Sequence, residues 1–184
     1  MVRPLEQYFT ADKRFISELL KDITIDDYAI ILEPCAGEKH LVQAMKDYDV
    51  RARFYTNDMD AAMPTQLHRD ATKLIFWTEF VKHIAQPDWI ITNPPFSIAP
   101  ILIQYALKYC LQGVAFLLPI NFLEACRDRT FLVKNPPTGL TVLPRYSFTQ
   151  DGRMDTKTCA WFIWDTSKPS SNGIRIVSKF PIKE

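Results

Sequence analysis

The chain lacks the marks of several common classes. Its 184 residues carry 22 Lys and Arg against 21 Asp and Glu, a formal net charge of +1. No global electrostatic case for nucleic acid follows, so any such contact must come from a local patch. Cysteines at 35, 110, 126 and 159 show no paired spacing, and three scattered histidines (His40, His68, His83) add no ligand cluster. This argues against a disulfide framework and against a metal centre, and leaves reduced, mostly structural cysteines. No apolar run reaches membrane-spanning length, and Met1-Val2-Arg3-Pro4-Leu5-Glu6 lacks the pattern of a signal peptide. A cytoplasmic chain with no membrane partner is expected. Internal repeats and low-complexity tracts are missing as well. What is present is 47% apolar content, over a length that suits one domain, residues 1–184, with a full core.

Apolar runs alternate with amphipathic stretches, which predicts βαβ units and a mainly parallel sheet with helices on both faces. Strands are expected at residues 28–32, 52–56, 89–92 and 114–118. Helices are expected at 12–20, 39–46, 76–84, 98–110 and 121–133. The C-terminal third differs. Residues 140–143 and 158–164 are β-rich, and the polar segment 145–157 between them leaves no room for a crossover helix. Parallel neighbours need such a crossover, so this pair is expected to be antiparallel. Pro169-Ser170-Ser171-Asn172-Gly173 is a turn-rich break before a last short strand at 174–177.

The most informative stretch is Asn93-Pro94-Pro95-Phe96, directly behind Trp89-Ile90-Ile91-Thr92. Adjacent prolines cannot donate to a sheet ladder, so the strand stops there. The stop leaves an amide, a proline carbonyl and an aromatic ring at a strand's carboxyl end, the edge where open α/β sheets bind ligands. The Asn93 side-chain oxygen and the Pro94 carbonyl can both accept hydrogens from an exocyclic amine, and Phe96 can stack on a ring. A planar base, flipped or single-stranded, suits the trio. The bland alternative is a strand-terminating turn without chemistry. Upstream, Glu33-Pro34-Cys35-Ala36-Gly37 forms a small-residue turn between the first strand and its helix, where backbone can approach a ligand closely. Glu33 can accept from an ammonium or hydroxyl group. Asp58, closing the second strand, is placed either to bind a ribose diol or to cap a following helix. Asp70 brings another carboxylate near the sheet edge, or belongs to a solvated loop.

Taken together, these residues resemble the class I S-adenosylmethionine-dependent methyltransferases, specifically the DNA adenine N6-amino group with an Asn-Pro-Pro-Phe/Tyr motif. The resemblance runs from about Gln7 to Trp164 and implies a Rossmann-like class I methyltransferase fold with one antiparallel strand near the C-terminus. It implies S-adenosylmethionine as cofactor and DNA as partner, with Asn93, Pro94, Pro95 and Phe96 as the catalytic motif. Gln7-Tyr8-Phe9-Thr10 looks like the family's leading cofactor motif, so Tyr8, Phe9 and Thr10 would flank the methionine part. The same stretch also reads as a hydrophobic lead-in to a helix capped at Thr10 or Asp12. Glu33, Pro34, Cys35, Ala36 and Gly37 look like the first nucleotide-binding motif. By the family pattern Asp58 would hold the ribose hydroxyls and Asp70 the cofactor's adenine amine, with Asn93 beside the cofactor too. Met59 would pack against that adenine, or fill core. Leu118 to Glu124, Arg145-Tyr146-Ser147-Phe148 and Ala160 to Trp164 are similar to segments of small phage and bacterial members. Two departures stand out. Lys39 replaces the usual second glycine of the cofactor turn, where its ammonium can meet the methionine carboxylate. A separate target-recognition domain is also not visible.

Arg127, Arg129 and Lys134, and further on Arg145, Arg153 and Lys157, are either solvated faces or phosphate contacts. Trp161, Phe162 and Trp164 read as core in a buried strand. The expected activity is methyl transfer to the exocyclic amine of adenine in DNA, with a second copy or a specificity partner as further associations. Alternatives are methylation of ribosomal or transfer RNA bases, methylation of protein glutamine amides, and a non-catalytic subunit of the same fold.

Overall fold

A computed structural model of the chain describes residues 12–125, 132, 134–144, 158–167 and 174–176. Helices and strands alternate through β4: α1 (Arg14–Leu19), β1 (Ile30–Glu33), α2 (His40–Asp47), β2 (Arg53–Thr56), α3 (Leu74–His83), β3 (Trp89–Thr92), α4 (Ala99–Tyr109) and β4 (Gly113–Pro119). A short α5 (Phe122–Ala125) precedes β5 (Gly139–Val142), β6 (Cys159–Asp165) and β7 (Ile174–Ile176). The described strands form one seven-stranded sheet in the order β2-β1-β3-β4-β6-β5-β7. β2, β1, β3 and β4 run parallel, β6 is antiparallel to β4 and β5, and β7 is parallel to β5. β6 is thus the one reversed strand among those described, as the missing crossover after residue 143 predicts.

Side-chain alternation along β4 shows how both faces are covered. Val114, Phe116 and Leu118 face Phe76, Trp77 and Phe80 of α3 and Leu102, Ile103 and Ala106 of α4. Ala115 and Leu117 face Phe15, Ile16 and Leu19 of α1 and Leu41, Val42 and Met45 of α2. With helices on both sides, every residue of β3, β4 and β6 is buried, hence their continuous apolar runs. Trp161 and Trp164 are core residues whose indole N–H groups donate to the carbonyls of Phe15 and Asn135, each at 2.9 Å. Their burial therefore leaves no orphan donor. At the amino end of β4, Gly113 lies opposite Trp89, leaving no space there for a side chain.

Some boundaries differ from expectation. The first strand starts at Ile30, because Tyr28 has φ 65° and lies 74% exposed in a turn; a positive φ interrupts an extended run. α3 starts at Leu74, two residues early, because Leu74 and Ile75 are exposed and outside the apolar periodicity that marks the helix. α1 is shorter than expected at six residues, with the Asp12 carboxylate accepting the Arg14 N–H at 2.8 Å ahead of it. Of the helix expected at 121–133, residues 122–125 and 132 are helical and residue 121 is a turn; 126–131 and 133 lie outside the described residues. No described helix is long and apolar enough to cross a membrane.

The chain leaves β1 through α2 on one face and β3 through α4 on the other, and the two crossovers carry the sheet outward in opposite directions. Between the carboxyl ends of β1 and β3 a crevice therefore opens, the usual ligand position in such sheets.

Candidate functional site

The β1 turn is held in an uncommon backbone shape. Gly37 has φ 48°, and Lys39 has φ 64° and ψ 29°, a left-handed conformation that favours glycine. The Lys39 N–H donates to the Ala36 carbonyl at 2.7 Å, and α2 begins directly after, at His40. The turn thus demands at position 39 the backbone a glycine supplies freely, and a lysine adopts it.

The end of β2 secures this turn. Asp58 Oδ2 accepts the Gly37 N–H at 2.8 Å and Oδ1 accepts the Asp60 N–H at 2.9 Å. No helix follows Asp58 before α3, so the helix-cap reading is not realised. Met59 is 61% exposed, which corrects the core-filling alternative: it follows the strand in a bend outside the core. Asp70 Oδ1 accepts both the N–H and the hydroxyl of Thr72, at 2.9 and 2.6 Å. The Thr72 hydroxyl bond is the main reason the Asp70 carboxyl stays below the ordinary carboxylate range.

Sequence reasoning missed the residue that ties these segments together, Asn57. It is fully buried, and its side chain bonds Pro34 on one segment and Arg69 on another. The one available signal was a polar residue inside the apolar-to-acidic strand ending Tyr55-Thr56-Asn57-Asp58.

These elements enclose a cavity of about 580 Å³. Of the expected cofactor residues, Glu33, Pro34, Cys35, Ala36, Gly37, Asp58, Met59, Asp70 and Asn93 all line it, and Pro95 joins them. Asn93 is 9% exposed at the end of β3. Pro94 and Phe96 are not wall residues: Pro94 is buried, and Phe96 is half-buried against the α3–α4 core. His40, Asp60, Met63, Arg69 and Thr72 also contribute wall, none of them foreseen. Tyr8, Phe9, Thr10, Arg127, Arg129, Arg145 and Arg153 lie outside the described residues.

The cavity is acidic, with Glu33, Asp58, Asp60 and Asp70 against Arg69 and His40. Glu33 is 2% exposed, and its Oε2 has no hydrogen-bond partner among the described residues. Burial, and secondarily the Asp58 charge, hold the Glu33 carboxyl well above the usual range. Burial likewise pushes the Cys35 thiol far up, reinforced by Asp58, Glu33 and Asp70. A thiol so placed stays protonated and is no nucleophile. A buried carboxylate oxygen lacking a donor, beside a second carboxylate, suits a ligand that carries an ammonium or several hydroxyls. Among the described residues no group of three or more His, Cys, Asp and Glu could hold a metal ion.

Neither a protein-family model nor a curated protein matches the chain. Solved structures do. The modification subunit of a putative type I restriction enzyme from Vibrio vulnificus superposes with a TM-score of 0.58 at 14% identity over 88% of this chain. The chain spans only 45% of that subunit's length. A putative hemolysin from Lactococcus lactis gives 0.58 at 12% identity, over 94% of this chain and 95% of its own. A precorrin-6y C5,15-methyltransferase from Geobacter metallireducens gives 0.57 at 10% identity, over 86% and 94%. Likeness at such low identity is likeness of fold, and the fold is the Rossmann-like one of the class I methyltransferases.

Proposed function

We propose that this chain transfers a methyl group from S-adenosylmethionine to the exocyclic amine of adenine in DNA. The observation that carries the reading is that Asn93, ending β3, lines the same cavity as the Glu33–Gly37 turn, Asp58 and Asp70. The residues present fit the cofactor. A cavity of about 580 Å³ suits a ligand of that size, and the Glu33 oxygen that lacks a donor among the described residues suits an ammonium. Glu33 and the turn would hold the methionine part, Asp58 the ribose and Asp70 the adenine amine, with Met59 beside the ring. When bound, the cofactor supplies an electrophilic methyl on a sulfonium.

The chain's own residues would do the rest. An exocyclic amine is a poor nucleophile because its lone pair is delocalised into the ring. Accepting its two hydrogens at the Asn93 side-chain oxygen and the Pro94 carbonyl localises that pair. Pro95 fixes the turn that aims both acceptors. Phe96, whose ring is only half-buried, would stack on the base, worth about 1–3 kcal/mol. Positioning is then the main contribution of the protein. Attack by an amine needs no covalent enzyme intermediate, in keeping with the protonated Cys35 thiol.

The fold shared with a restriction-enzyme modification subunit supports DNA as the polymer. Arg127, Arg129, Arg145 and Arg153 are the proposed phosphate contacts, and a second copy or a partner chain would supply recognition. Residues 1–184 are read as one methyltransferase domain, since the described strands share one sheet.

The test is label transfer from methyl-labelled S-adenosylmethionine to DNA, RNA and protein, each offered separately. Label in the adenine amine of DNA is expected, and Asn93→Ala should abolish it while cofactor binding stays nearly intact. Label in RNA alone moves the reading to an RNA-base amino-methyltransferase. No cofactor binding by calorimetry sinks the catalytic reading altogether.

A further inference from the structure

We propose that Asn57 is a positioning residue: without touching a ligand, it fixes the spacing between the Glu33–Gly37 turn and the Arg69–Thr72 segment, and so sets how tightly the cavity holds S-adenosylmethionine. The proposal rests on the methyltransferase reading above. Asn57 is 0% exposed and stands behind the cavity wall rather than in it. Even so, five hydrogen bonds run from it to four wall residues. Its backbone N–H donates to the Glu33 carbonyl and its carbonyl accepts the Ala36 N–H, each at 2.9 Å. Its Nδ2 donates to the carbonyls of Pro34 and Arg69, both at 2.9 Å, and its Oδ1 accepts the Arg69 N–H at 3.0 Å.

The side chain therefore holds the Arg69 residue at both its amide and its carbonyl. Arg69 immediately precedes Asp70, whose carboxylate belongs to the cavity wall. One buried amide thereby bonds directly to both of the separate stretches of chain that carry Glu33 and Asp70, beside the backbone bonds of Thr56 and Asp58 to Leu67. Only an amide supplies donors and an acceptor at this short reach. An aspartate would keep an acceptor for the Arg69 N–H but turn an oxygen towards both carbonyls. A serine is too short to bridge both segments.

Asn57→Asp and Asn57→Ser should each be measured for S-adenosylmethionine affinity by calorimetry, for KM and kcat, and for the thermal midpoint of the unliganded protein. A buried polar group stripped of its partners weakens whatever depends on it by about tenfold or more. Cofactor Kd and KM should therefore rise by about tenfold or more in both variants, while kcat at saturating cofactor holds. A residue that merely supports the fold would lower the midpoint and leave the Kd of the folded protein unmoved. That result overturns the proposal, as does a failure of both variants to fold. If the unsubstituted protein binds no S-adenosylmethionine, the methyltransferase reading itself falls and the proposal falls with it.

Discussion

Glu33→Gln should make the unliganded protein more stable and the cofactor bind less well. Glu33 is 2% exposed, has one carboxylate oxygen without a partner among the described residues, and shares its cavity with Asp58. Burial first and the Asp58 charge second raise its carboxyl well above the ordinary value. The folded chain therefore keeps a proton that the unfolded chain has already released. Its stability is complete below the unfolded range, about pH 4, and is lost as pH rises towards the higher folded value. Glutamine removes that loss. An unsatisfied buried group costs about 1–3 kcal/mol. The neutral amide still leaves a polar atom unpaired, so a net gain of about 1 kcal/mol is expected. In a chain of this size, that raises the thermal midpoint by about 2–4 °C. Scanning calorimetry across pH measures it: the two proteins should coincide near pH 4 and diverge by about that amount near pH 8. The same variant should bind S-adenosylmethionine more weakly. A difference constant across pH, or a variant less stable near pH 8, refutes the reasoning.

Two other substitutions test the framework around the site. A Cβ on Gly113 would sit 2.5 Å from the Trp89 ring and 2.7 Å from the Trp164 carbonyl. Trp89 cannot easily retreat, being buried with its N–H on Gln112 at 2.9 Å. Gly113→Ala should cost about 1–3 kcal/mol of overpacking, seen as a lower urea midpoint at unchanged slope. Cofactor affinity of the folded protein should not change, because Gly113 starts β4 at the sheet edge opposite the cavity. Lys39 is held at φ 64°, which costs an L-residue about 1–2 kcal/mol, partly offset in glycine by about 0.5–1 kcal/mol of backbone entropy. Lys39→Gly should therefore stabilise by up to about 1 kcal/mol, and Lys39→Val destabilise, in the same denaturation experiment.

Elements fixed by local chemistry were legible in the sequence. Trp89–Thr92 has the expected bounds because two prolines end it and burial on both faces makes it wholly apolar. The reversal of β6 followed from the length and polarity of segment 145–157, which is a topological constraint and not a propensity. Features that depend on distant partners were not legible. Asn57 gains its role from bonds to residues 23 positions upstream and 12 downstream, which no local period records. Tyr28 is a strand former by composition, yet its turn imposes a positive φ. The site shows the same division. The wall residues at strand ends were foreseen because the carboxyl edge of an open sheet collects them. Phe96 was assigned from the chemistry of its ring, whereas packing draws part of that ring into the α3–α4 core.

The position of β6 governs the order in which this sheet can be built. It lies between β4 and β5 and pairs with both, yet it is synthesised after either. Until residue 165 is made, β4 has β3 on one side only. Its other edge exposes an apolar stretch, Gly113–Pro119, of the kind that templates aggregation. β5 meanwhile has no neighbour within the finished half. β2, β1, β3 and β4 can assemble early through short crossovers with low loop-closure cost, and the carboxyl ends of the first three carry the cavity. The late strand then acts as a latch: it does not shape the cavity, but it closes the sticky flank of the half-sheet that does.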